Sequence, residues 1–100
     1  MTTHFDSKRG AIATGMYYAG RQDLYKDDKG NTRSLEDILK SPEIKVIDGA
    51  IAQFGDEHED NLIIEFPNRD KKVCRIATTK FRDGFDLWIV HPESGAAIRV

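Results

Sequence analysis

Between positions 55 and 60 the chain reads Gly55-Asp56-Glu57-His58-Glu59-Asp60, four carboxylates and one histidine in six residues. Carboxylates packed so densely suit a hard divalent cation or a basic partner surface. A calcium loop takes ligands at alternating positions around a glycine and closes on a distant bidentate Glu, and this spacing does not follow that pattern. Zinc would need soft or imidazole donors in a cluster, whereas the chain holds one cysteine and three widely spaced histidines. No metal is expected. Asp56, Glu57, Glu59 and Asp60 therefore read as a solvated loop whose charge suits docking onto a protein.

The opposite sign follows directly. Arg69, Lys71, Lys72, Arg75, Lys80 and Arg82 set six cations within fourteen residues, against Asp70 alone. Phe81 and Trp88 stand close by. Small β-barrel nucleic-acid binders combine such cations with aromatic stacking platforms. Strand alternation scatters these charges over two faces, however, and lysines on edge strands also guard against aggregation. A net charge of −2 and an isoelectric point near 5.9 weigh against a general nucleic-acid binder. Lys71, Lys72, Arg75, Phe81 and Trp88 are the candidate contact residues on this side, with a protein partner preferred to a nucleic acid.

Catalytic chemistry finds little support. His91-Pro92-Glu93-Ser94-Gly95 brings a His, a Glu and a Ser together, but neighbours around a proline seldom converge as a triad does. The segment reads as a turn. Cys74 has Lys72 and Arg75 nearby, which would favour a thiolate, yet its inward direction marks an inert core thiol. The eight glycines are dispersed and form no phosphate cradle. No catalytic residue and no cofactor is expected. The residues point to a non-catalytic binding module (an adaptor, inhibitor or accessory protein) that acts through a charged and aromatic surface.

The elements that must position these side chains are mostly strands. Residues 1–9 read as a flexible tail. Residues 11–18, rich in strand formers, predict a strand bent at Gly15, in which Tyr17 and Tyr18 face opposite sides and one of them enters the core. A second short strand is expected at 23–26, then a turn over 27–31. The clearest helix signal is 34–40: Ser34 is a natural N-cap, Asp37 lies three residues on, and Pro42 stops the helix. Strands follow at 44–54, with a bulge at Gly49, then at 61–66, 72–82, 85–91 and 96–100. The expected fold is α+β and mostly β, an antiparallel meander of five or more strands forming a small barrel or open roll with one short helix.

Asp83-Gly84 matches the strongest two-residue hairpin signal. It would set Thr79 opposite Trp88, with Cys74, Ile76, Thr78, Phe85, Leu87, Ile89 and His91 on the core side. Arg75, Thr79, Phe81, Asp86, Trp88 and Val90 would then form a partly exposed aromatic face. One hundred residues, 39% of them apolar and 32% charged, suit a single globular domain spanning 1–100. A lone cysteine and an N-terminus without an apolar core segment predict a cytoplasmic protein. No apolar run approaches the length of a membrane span, so no membrane is expected.

Overall fold

The computed structural model describes residues 3–48, 54–55 and 57–100. Within them the chain forms β1 (His4–Phe5), α1 (Lys8–Tyr18), a 3-10 turn (Gln22–Leu24), α2 (Leu35–Leu39), β2 (Lys45–Ile47), β3 (Glu59–Pro67), β4 (Val73–Phe81), β5 (Gly84–Val90) and β6 (Ala97–Arg99). The strands make one antiparallel sheet that remains open, in the order β1-β5-β4-β3-β2, with β6 also on β5. The expected α+β class and meander therefore hold, as an open sheet. The α2 expectation holds too: the Ser34 hydroxyl accepts from the Asp37 amide at 3.2 Å. So does the turn at 27–31, where Asp27 Oδ1 accepts from the Lys29 and Asn31 amides. The Gly49 bulge lies outside the described residues.

The N-terminal quarter corrects the sequence reading. Residues 8–18 are an eleven-residue helix, and no strand forms there. The helix is set by its ends. The Ser7 hydroxyl accepts from the Gly10 amide at 3.0 Å, satisfying one of the orphan donors of the first turn. At the other end Gly20 takes φ 75°; its amide bonds Tyr17 O and that of Arg21 bonds Met16 O. This pair of bonds is a Schellman termination, which favours glycine because a Cβ resists the left-handed region. Ala11, Ile12, Gly15 and Met16 form the buried stripe. Tyr17 and Tyr18 both lie exposed, since helical rather than strand spacing carries them off that stripe. Within the expected 1–9 tail, of which Met1 and Thr2 lie outside the described residues, His4 and Phe5 instead pair with Asp86 and Phe85. The short strand expected at 23–26 is the 3-10 turn followed by a lone bridge from Lys26 to Thr32.

The β4–β5 hairpin keeps the predicted faces but not the predicted partners. Its loop is Arg82-Asp83, with Phe81 opposite Gly84, so Trp88 faces Ala77 and Thr79 faces Asp86. A shift of two residues preserves side-chain parity. Arg82 adopts the left-handed φ, 59°. Gly84 instead provides room: a Cβ there would lie 2.5 Å from the Phe5 carbonyl oxygen and collide with the His4 ring. Both faces of these strands are covered. On one side α1, α2 and the 3-10 turn pack Ile12, Met16, Leu24 and Ile38 against Ile64, Phe66, Ile76 and Leu87. On the other, Phe54 joins Ile63, Ala77, Trp88 and Val90 in a second cluster.

Candidate functional site

An eleven-residue helix rises roughly 16 Å, whereas strands of nine residues run nearly twice as far, so α1 cannot cover the whole sheet. Beyond its C-terminus an apolar groove of about 480 Å³ opens. Its walls include Tyr18 from α1 and Ala19 at its C-cap, Cys74 and Ile76 from β4, Ile89 from β5, and Ile98 from β6. Ile89 and Ile98 are directly paired across β5 and β6. They are 41% and 73% exposed, with Tyr18 at 64% and Val73 at 56%. The sequence reading placed Ile89 and His91 in the core; the short reach of α1 leaves them outside it.

The turn after β5 brings a polar group to one end of the groove. His91 Nδ1 accepts from the amides of Glu93 and Ser94, at 3.3 and 3.1 Å. That turn therefore fixes the tautomer, and Nε2 carries the proton. On the opposite face of the sheet, Arg75 bonds Glu65 at 3.1 Å through Nη2. Among the described residues no acceptor reaches its buried Nε.

A second constellation lies at the opposite end of the sheet, on the other face. Asp86, its side chain 3% exposed, receives His4 Nδ1 at 3.0 Å and Arg99 Nη1 at 3.4 Å. His58 Nδ1 lies 3.9 Å from its second oxygen and 2.8 Å from Thr79 Oγ1. The Trp88 indole N–H also donates to Thr79 Oγ1, at 3.0 Å. The His58 ring stacks on Phe81 with centroids 4.7 Å apart. An aspartate holding a histidine by Nδ1 is how a general base is oriented. Thr79 is fully buried, however, which puts its hydroxyl beyond the reach of a substrate. The network joins β1, β6 and the 57–58 segment to the sheet centre.

The sequence-derived candidates do not form one surface. Asp56 lies outside the described residues. Glu57, Glu59 and Asp60 are exposed, with Asp60 paired to Lys8 at 2.6 Å and Glu59 opposite Lys80 in the ladder. Lys71 and Lys72 are exposed at the far end of the same strands, beside the groove, while Lys80 and Arg82 flank the acidic end. The basic segment is thus split along the length of β4. Phe81 is half-buried, and Trp88 is 8% exposed within the second core. The partly exposed aromatic face was therefore wrong: Phe54 and the 57–58 segment cover it. Among the described residues no group of His, Cys, Asp or Glu is arranged to hold a metal ion.

Cys74 lines the groove as a free thiol that donates to Phe66 O at 3.2 Å. Burial pushes it up to about 11, against the opposing pull of Arg21. Alkylation by iodoacetamide at mildly alkaline pH should run roughly tenfold slower in the folded chain than in the unfolded one. That figure sets thiolate scarcity against the greater nucleophilicity of a high-pKa thiolate. The unfolded thiol ionises first, so its contribution to stability is lost as pH rises from 9.0 towards about 11. Equal alkylation rates would show that the thiol is not shielded.

No helix of the described residues is long and apolar enough to cross a membrane. No protein-family model matches the chain, and searches of curated proteins and of solved structures return no match.

Proposed function

We propose that this chain is a non-catalytic binding module, an adaptor, inhibitor or accessory protein, that holds a protein partner in the groove between α1 and the β4–β5–β6 end of the sheet. The observation that carries this reading is the contiguous exposure of Tyr18, Val73, Ile89 and Ile98 around a concave apolar floor. Apolar side chains gathered in one concave patch mark interaction sites more often than singly scattered ones do. Aromatic and aliphatic anchors there, with cations beside them, follow the usual anatomy of an interface. A nucleic-acid partner is less well supported, because Trp88 is buried and the basic residues are divided between two ends. A lone free thiol is in keeping with a reducing, cytoplasmic setting.

Ile98 is the residue to change, since at 73% exposure a charge there leaves the core intact. Ile98→Asp should melt within a degree or two of the wild type (about 0.5 kcal/mol or less). Capture from nuclease-treated host lysate on the tagged chain should yield a partner that the Ile98→Asp chain loses. A partner retained by the variant, or one that nuclease removes, would overturn the reading.

A further inference from the structure

The groove does not end at its apolar floor. Beside it lie a second depression lined by Tyr17, Tyr18, Gly20, Asp23 and Arg69, and a third lined by Thr14, Tyr17, Tyr18 and Tyr25. Tyr18 belongs to all three, so the surface is an elongated track bending around one aromatic side chain. A closed cavity would suit a compact small molecule. A track suits a length of polypeptide.

Charge beside the track is mostly positive. The turn between β3 and β4 presents Arg69, Lys71 and Lys72, all exposed, against Asp70. The Arg69 amide donates to Ala19 O at 3.1 Å, which fixes this turn beside the end of α1. At the β5 end of the groove His91 presents its Nε2 proton as a donor. Asp23, beside the track, is engaged by Arg21 together with Glu43, and the exposed Asp70 and Glu93 are outnumbered by Arg69, Lys71 and Lys72. An occupant with acceptors and negative charge next to its apolar anchor would satisfy these groups, whereas a basic one would face unpaired cations.

We infer that the occupant is an extended acidic segment of a protein partner, with bulky apolar side chains in the groove and Asp or Glu residues against Arg69, Lys71, Lys72 and His91. This rests on the groove reading above and names the chemistry of its partner.

The probe is a phage-displayed library of random peptides, selected on the wild-type chain and counter-selected on Ile98→Asp. Enriched peptides should pair a bulky apolar residue with a neighbouring Asp or Glu. A synthetic representative should lose about tenfold or more in affinity on Ile98→Asp. It should lose about tenfold on the Lys71→Glu, Lys72→Glu double variant, mostly in association rate, and less as salt rises. Enriched peptides that are apolar but neutral or basic, and that Ile98→Asp still rejects, would overturn the acidic inference and leave the groove reading standing. Peptides that bind Ile98→Asp as well as wild type, or no enrichment at all, would overturn both. Decanoate that binds the groove while no peptide is enriched would count against a polypeptide occupant.

Discussion

Trp88→Ala should remove about 3–5 kcal/mol of folding free energy, the range for truncating a large buried aromatic. The indole lies against Phe54 with centroids 4.9 Å apart and meets the edge of His58 at 5.7 Å. With only 8% of the residue exposed, no water fills the gap left beneath Phe54 and His58 without bringing Val90 and Ala77 into contact with it. Thr79 Oγ1 would lose one of its two partners and keep His58. Trp88→Phe keeps a ring against Phe54 but gives up the N–H bond, and should lose roughly 1–2 kcal/mol. Urea denaturation followed by circular dichroism separates the two variants, and acrylamide should quench the sole tryptophan poorly until the chain unfolds. A binding anchor on the surface would behave differently: Trp88→Ala would leave stability within about 0.5 kcal/mol. That outcome would return Trp88 to the list of contact residues.

The burial of Trp88 was legible in part. Leu87-Trp88-Ile89-Val90 is an unbroken apolar run, and such runs occur in strands covered on both sides. Assigning one face of the hairpin to solvent ignored that signal. The parity was right, and Thr79, Asp86 and Trp88 do share a face. The Asp83-Gly84 signal misplaces the turn because it rests on glycine to supply the left-handed residue. Arg82 fills that role, while Gly84 is required by the approach of Phe5 from a strand seventy-nine positions earlier. Separation of that kind leaves no local trace.

Helix α1 was missed for a local reason. Residues 8–18 contain Gly10, Gly15, Ile12, Thr14 and a tyrosine pair, all weaker helix formers than alanine. Tertiary packing of Ile12 and Met16 on Ile76 and Leu87 outweighs that deficit. Yet the caps were readable, with Ser7 before the run and Gly20 after it, and weighting ends above interior propensity would have found the helix. Helix α2 shows the converse, since its Ser34 cap was enough to place it. The groove had no comparable signal. It arises from the mismatch between the length of α1 and that of β4, which exists only once both are packed.

Asp86→Ala should destabilise the chain by about 2–3 kcal/mol and release both terminal strands together. Breaking a buried ion pair by removing one partner typically costs about 3–5 kcal/mol, because the other charge is stranded. Here the groups that lose the carboxylate, His4 and Arg99, keep 43% and 37% of their side-chain surface in water, so solvation offsets part of the loss. What remains is anchorage. His4 lies on β1 and Arg99 on β6, two short strands that share one edge of β5 and meet where the Thr3 amide donates to Val100 O at 3.0 Å. Without the carboxylate, amide exchange should accelerate at Phe5, Ile98 and Val100 well before it does in β4. Asp86→Asn retains an acceptor oxygen for His4 and should lose about half as much. A double-mutant cycle with His4→Ala should show coupling of about 1 kcal/mol, since both substitutions remove the same 3.0 Å bond. Independent, additive effects with unchanged exchange at Phe5 would mean that β1 is held by its backbone pairing alone, and that Asp86 is buried for some other reason.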